Sequence, residues 1–256
     1  MNYLNEAVYT AKIAGEFLRE MFVSRNVSAQ YKGERDIVTQ ADKGAEQIII
    51  EYLSETFKGH RIVAEESGTI GGDNSEFTWY IDPLDGTTNF FHHIPYFNVS
   101  IALEQEGNII CGAVYNPVID EMFYAEKGKG AFLNGNKISP SQNSDMKKAF
   151  ITSCHSPKEE DIRMFLKFMD VFKREAFDMR KLGSAALELC YTASGRADAF
   201  IGIGLKPWDF KAGLLIAQES GCISGGLHSK EPEDENIVVC SPSLYNELSR
   251  IMAKVV

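Results

Sequence analysis

The chain has 256 residues, 44% of them apolar and 24% charged, an ordinary globular composition on a chain long enough to bury a core without staples. Asp and Glu number 36 against 26 Lys and Arg, and the formal net charge of −10 disfavours binding nucleic acid or anionic membrane by charge alone. No run reaches membrane-span length, residues 1–21 lack a basic start followed by an apolar run, and the five scattered cysteines form no CxxC pair, so a protein of the reducing cytoplasm is expected.

In chain order, Leu4, Val8, Ala11, Leu18 and Phe22 recur at helical spacing and predict a helix over 2–22. Thr39 with Asp42 fits a capping box opening a second helix, whose apolar face is Ala45, Ile48, Ile49, Tyr52 and Leu53. A short strand over 61–64 ends in Glu65-Glu66. The Gly-rich polar stretch 68–76 reads as a mobile linker, and the next strand, 77–81, stops at Asp82-Pro83. Four apolar runs over 98–104, 109–115, 122–125 and 131–133 are strands, with turn signals at Glu106-Gly107-Asn108 and Asn134-Gly135. After about residue 145 strands and helices alternate: a strand at 149–153, a helix at 161–172, a helix capped by Ser184 and stopped by Gly195, a strand at 197–203, and a helix over 210–220 preceded by Asp209 and ended by Gly221. The expected class is α/β, an α+β front half and an α/β back half packed as one unit.

Three places put acids just past a strand and near a helix start: Glu65-Glu66, the run Asp82-Pro83-Leu84-Asp85-Gly86-Thr87, and Trp208-Asp209. Ligands gather at the carboxyl ends of strands in open α/β folds. Converging carboxylates repel, so they need a cation or must give up ionisation. An all-oxygen donor set points to a hard cation, magnesium first, then manganese or calcium. Pro83 restricts the chain between Asp82 and Asp85, the Leu84 carbonyl lies between them, and a helix starting at Gly86-Thr87 would offer N–H groups to an anion. Metal ligands beside an anion cradle suggest phosphate chemistry.

Each element has a plainer reading. Asp82 and Asp85 suit a turn, Asp209 a helix cap, Asp42 a capping box and Glu65-Glu66 a solvated surface. A calcium loop counted from Asp82 fails, because its sixth position is Thr87 and its twelfth His93. His92 and His93 are adjacent and do not face one another on a helix.

Taken together, Asp36-Ile37-Val38-Thr39 to Asp42, Ala64-Glu65-Glu66-Ser67, residues 79–90, Leu182-Gly183-Ser184-Ala185-Ala186 and Pro207-Trp208-Asp209 resemble the inositol monophosphatase family of metal-dependent, lithium-sensitive phosphatases, essentially end to end. The resemblance implies a layered αβαβα sandwich of the inositol monophosphatase and fructose bisphosphatase type. It implies one phosphatase unit over 1–256, with subdomains of about 1–145 and 146–256, and commonly a homodimer. It implies two or three magnesium ions per subunit, with manganese as a substitute and calcium or lithium as inhibitors. Glu65, Asp82, Asp85, Asp209 and the Leu84 carbonyl would hold metal, with Glu66 at a weaker third position. Thr87, Asp42 and Glu65 would position the attacking water. Gly86, Thr87 and Asp85 would meet the phosphate side, Gly183, Ser184 and Ala185 the leaving group, and Lys32 would belong to a mobile loop over the site.

Three departures bear on the substrate, one of them the stretch from Gly221-Cys222 to Pro232, which differs from the family's usual Gly-Gly and following acidic turn. Gly202 stands where many inositol-specific members have glutamate, and Lys206-Pro207 where several have histidine, so Lys206 is expected to favour a second anionic group on the substrate. The implied activity is hydrolysis of small phosphate monoesters, with fructose bisphosphatase, histidinol phosphatase and nucleotide-directed phosphatase as alternatives of the same chemistry. A regulatory protein-binding module that kept the fold is the alternative of another class. No membrane and no direct nucleic-acid partner is expected.

Overall fold

The computed structural model describes residues 2–25, 27–33, 36–72, 75–227, 229 and 235–255, with only the backbone of Lys32 and Asp36. The expected role of Lys32 therefore lies outside the described side chains.

The first helix, α1 (Tyr3–Ser24), is capped by Asn2, whose side chain accepts from Asn5 N at 3.3 Å. A hairpin of β1 (Ala29–Gly33) and β2 (Asp36–Thr39) leads into α2 (Gln40–Thr56), which starts at the expected capping box. Ala7, Ala11 and Ala14 of α1 and Ala41 and Ala45 of α2 are fully buried. Both helices lie on the same face of an eight-stranded sheet. Its strands are β3 (Arg61–Ala64), β4 (Gly68–Ile70), β5 (Phe77–Asp85), β6 (Asn98–Gln105), β7 (Asn108–Asn116), β8 (Glu121–Glu126), β9 (Ala131–Leu133) and β10 (Asn136–Lys137), and a one-turn helix α3 (Thr87–Phe91) follows β5. Their spatial order is β10-β9-β8-β7-β6-β5-β3-β4.

The back half runs β11 (Phe150–His155), α4 (Glu159–Glu175), β12 (Asp178–Arg180), α5 (Ala185–Ala193), β13 (Ala199–Ile203), α6 (Pro207–Ser220), β14 (Ile223–Gly225), β15 (Ile237–Cys240) and α7 (Tyr245–Met252). Its five strands form a second sheet in the order β12-β11-β13-β15-β14. Helices α5 and α6 fill the space between the two sheets, and α4 and α7 cover the far face of the second. The result is the expected αβαβα sandwich with three apolar layers. The β6 alternation shows how one strand serves two of them: Val99, Ile101 and Leu103 enter the first layer and Ala102 the second. Gly112 of β7 lets α6 lie close on the sheet, since a Cβ there would stand 3.0 Å from Ala212 Cα. Among the described residues no helix is long and apolar enough to cross a membrane.

Two boundaries differ from expectation. The stretch 68–76 does not begin as a linker, because Gly68–Ile70 is β4, paired antiparallel to β3. The reason is Glu46 of α2, a buried carboxylate that accepts from Glu66 N at 2.8 Å and from Ser67 Oγ at 2.5 Å, pinning the reversal. The β5 strand also runs past Pro83 to Asp85, because the ladder to β6 resumes there at Asp85↔Asn98.

Candidate active site

The site lies where β3, β5, α5 and α6 bring their ends together. Strands β3 and β5 are parallel with Ala64 opposite Ile81, so the next residues, Glu65 just past β3 and Asp82 within β5, follow side by side. Along an undisturbed strand, residues three apart point to opposite faces. Between Asp82↔Ser100 and Asp85↔Asn98 the register slips by one residue, and this bulge at Pro83-Leu84 turns Asp82 and Asp85 to the same side. Pro83, without an N–H, suits the break in the ladder. From the other side, Ser100 Oγ donates to Trp208 O at 3.3 Å, which ties the first turn of α6, and so Asp209, to the strand beside Asp82.

Glu65, Asp82, Asp85 and Asp209 thus line one cleft of about 190 Å³, together with Leu84, Gly86, Thr87, Gly183 and Ala185. The hydrogen bonds of three of these acids follow one pattern. Asp82 Oδ1 accepts from Leu84 N at 3.0 Å. Asp85 Oδ2 accepts from Asn98 Nδ2 at 3.0 Å, Ser184 Oγ at 2.8 Å and Ala186 N at 2.9 Å. Asp209 Oδ2 accepts from Lys206 N at 2.8 Å. In each, these hydrogen bonds fall on one oxygen of a residue that lines the cleft. Asp42 differs: Oδ2 accepts from Thr39 N at 2.8 Å and Thr39 Oγ1 at 2.6 Å, and Oδ1 accepts from Thr87 Oγ1 at 2.8 Å. Both of its oxygens are hydrogen-bonded within the protein.

Electrostatics sharpens the point. Burial raises the Asp82 carboxyl well above its ordinary range, and the charges of Glu65, Asp85 and Asp209 raise it further. Burial pushes Asp209 up to about 7, with the bond from Lys206 N opposing and the Asp85 charge adding. Burial also raises Asp85, against its bonds from Ser184, Ala186 and Asn98. Carboxylates with raised pKa values in one cleft have an unmet demand for positive charge. Among the described residues no three His, Cys, Asp or Glu converge closely enough to hold an ion as they stand. The donor set itself, all oxygen and with cleft-facing atoms from separate elements, fits a hard divalent cation.

Other expected residues fall in different places. Glu66 sits on the turn held by Glu46 and does not line this cleft. Ser184 was expected at the leaving group, but its side chain is fully buried and its hydroxyl bonds Asp85 while accepting from Asn98 Nδ2 at 2.7 Å. Lys206 was expected to meet a second anion. Its ammonium instead pairs with Glu235 Oε1 at 2.5 Å, and it does not line the cleft. The position of Gly202 is packed shut: a Cβ there would be 2.5 Å from Leu205 Cδ1, and Leu205 forms that wall of the cleft.

Four residues contribute without having been singled out from the sequence. Asn98 and Glu46 are buried supports of the acids. Glu188, fully buried on α5, accepts from Leu182 N at 3.0 Å, Gly183 N at 2.9 Å and Cys154 Sγ at 3.0 Å, so it fixes the Gly183 loop, and burial pushes it up to about 7. A signal was present: Glu188 is the lone charge in the apolar run 185–193. Lys181, at the rim, lines the cleft beside His155.

Comparison with known proteins agrees with this geometry. Residues 2–255 match the model of the inositol monophosphatase family. The chain is 39% identical over 245 residues to a protein of Vibrio cholerae named Nus factor SuhB, covering 93% of this chain and 91% of that one. It is 42% identical to an inositol-1-monophosphatase of Mesorhizobium japonicum, covering 85% and 83%. The crystal structure of the extragenic suppressor protein suhB from Bartonella henselae superposes with a TM-score of 0.93 at 35% identity, covering 99% of both chains.

Proposed function

The chain belongs to the inositol monophosphatase family, and from that premise we propose that it hydrolyses small phosphate monoesters with magnesium as its cofactor. The observation that carries the reading is the contrast in hydrogen bonding: Asp82, Asp85 and Asp209 each keep one oxygen for the cleft, while Asp42 is spent on Thr87. Bound magnesium would supply positive charge against the phosphate and the leaving oxygen, and would acidify the attacking water. Glu65, Asp82, Asp85, Asp209 and the Leu84 carbonyl are the groups to hold it.

The protein's own part follows from Thr87. Its hydroxyl has one proton and two acceptors in reach, Asp42 Oδ1 at 2.8 Å and Leu84 O at 3.0 Å. With that proton committed, its lone pairs accept from a water in the cleft and aim that water's oxygen at phosphorus. Burial raises the Asp42 carboxyl, against the bonds from Thr39 and Thr87, and so makes it a better proton acceptor behind Thr87. Glu65, which also lines the cleft, supplies a second acceptor. Gly86, which holds φ 102°, starts α3 so that first-turn N–H groups lacking helical partners stand at the phosphate side. Positioned proton acceptors give about 10²–10⁴-fold, so most of the acceleration rests on the cation site.

Phosphate release from inositol 1-phosphate and a panel of sugar phosphates, with magnesium and with EDTA, tests the reading. Activity confined to magnesium and lost in Asp82→Asn is expected; full activity in EDTA would falsify it. A second reading, a regulatory module, is favoured by one observation, the name Nus factor carried by the Vibrio cholerae relative. Purified wild-type protein that releases no phosphate from any panel member in magnesium would favour that reading instead.

A further inference from the structure

The metal cleft adjoins a second cavity of about 400 Å³, and the two share Gly86, Thr87, Lys181 and Gly183. The chemistry changes across that junction. Four carboxylates line the first cavity. Among the described residues none lines the second, where Thr88 and Asn89 supply neutral polar groups and Lys181 is the single charged side chain.

Lys181 is held at the junction. His155 Nδ1 lies 2.7 Å from Ser156 O, a carbonyl that can only accept, so Nδ1 carries the ring proton. The other nitrogen, Nε2, is then an acceptor, and Lys181 Nζ donates to it at 3.2 Å. The ring packs on Phe165 with centroids 4.5 Å apart, which fixes the imidazole that orients the ammonium. An ammonium has three protons, so two remain for a ligand.

We propose that Lys181 is a specificity-determining residue that receives a second anionic group of the substrate. The favoured substrates are then phosphate monoesters bearing another phosphate or a carboxylate a few atoms from the scissile phosphate. The acid cleft repels a second anion that brings no cation with it; the neighbouring cavity does not. The inference rests on the phosphatase reading for the first phosphate, and it gives Lys181 the part that Lys206, paired with Glu235, does not play.

Steady-state kinetics in magnesium on inositol 1-phosphate and fructose 1,6-bisphosphate test it with wild type, Lys181→Met, Lys181→Arg and Lys206→Met. Wild type is expected to show the higher kcat/KM on the bisphosphate. Lys181→Met should raise the ratio of bisphosphate KM to monophosphate KM about tenfold, as expected for loss of a charge-assisted hydrogen bond, with the change falling on KM rather than kcat. Lys181→Arg should restore most of the ratio, and Lys206→Met should leave it at the wild-type value. A wild-type preference for the monophosphate, or equal KM changes on both substrates in Lys181→Met, overturns the proposal. If neither ester is hydrolysed, the phosphatase reading fails separately. Calorimetric binding of fructose 1,6-bisphosphate in magnesium then decides for Lys181: about tenfold weaker binding in Lys181→Met supports the role, and equal binding overturns it.

Discussion

Helices α2 and α6 begin alike and end up with opposite tasks. Each carries an aspartate at its third position whose Oδ2 accepts the backbone N–H of the N-cap residue, from Thr39 at 2.8 Å in one and from Lys206 at 2.8 Å in the other. The difference lies on the other oxygen, Oδ1, which Thr87 takes in Asp42. Thr39 adds its hydroxyl to the same oxygen, and Thr87 takes the other, so Asp42 is saturated. A lysine ammonium has no acceptor and no place in a capping box; it leaves for Glu235, and Asp209 keeps an oxygen for the cleft. One helix-start signal therefore yields a carboxylate bonded through both oxygens in α2 and one bonded through a single oxygen in α6, which the proposed function uses as positioner and ligand.

The largest effect separates those tasks. Asp209→Asn keeps the cap acceptor but removes the charge, so magnesium affinity and kcat/KM should both collapse, the latter by about 10³-fold or more, a loss of about 4 kcal/mol in transition-state stabilisation. Asp42→Asn should lower kcat by about 10²–10³-fold while calorimetric magnesium affinity stays within about threefold. If the two variants lose metal affinity equally, the contrast between the helices is broken.

A smaller effect appears in stability without metal. Asp209 moves from an ordinary 3.8 up to about 7 on folding, and Glu188 from 4.5 up to about 7. Folded protein therefore binds more protons than unfolded protein between those values. The stability these groups give is full below pH 4 and lost as pH rises through 7. In EDTA, Tm should rise by about 5 °C or more between pH 8 and pH 5.5, since each pKa unit is worth about 1.4 kcal/mol and each kcal/mol about 2–4 °C at this size. Asp178, lowered to about 2 by Lys173 and Arg180, acts only below this window. Saturating magnesium should flatten or reverse the trend, because ligands bind metal deprotonated. A Tm in EDTA that falls steadily as pH drops from 8 would show that the buried acids are not held against their charge.

Local signals made much of this legible. The capping box at Thr39, the Ser184 cap and the Asp82–Thr87 run are short-range patterns, and the elements they predict are present. Helix α7 carries no side-chain cap to announce it, although Leu244 at its N-cap and Leu248 and Ile251 within it recur at helical spacing and are buried against the second sheet. Reach across the fold was less legible. Which oxygen of Asp85 is free depends on Asn98 and Ser184, 13 and 99 residues away. Lys206 stands next to the site in sequence, yet its stem carries the charge away. Lys181 stands far in sequence from every acid of the cleft and arrives at the rim because β12 and β13 flank β11 in one sheet.

The smallest effect tests the N-cap itself. Lys206 sits at φ −90°, ψ 158°, extended backbone that serine adopts without strain. Lys206→Ser gives α6 the hydroxyl acceptor that α2 already has. The lost pair with Glu235 joins two side chains that are 42% and 43% exposed, so its removal costs less than about 1 kcal/mol. A gained cap is worth about 1 kcal/mol. The metal-loaded protein should therefore gain about 1–2 °C in Tm, and at most lose nothing. Activity should stay within about threefold, because the serine side chain bonds the first-turn N–H groups and leaves the cleft-facing oxygen of Asp209 alone. A large fall in magnesium affinity would instead mean that the new hydroxyl had captured that oxygen, as Thr39 and Thr87 together capture Asp42. Ligand and positioner would then be interchangeable by a single residue at the N-cap.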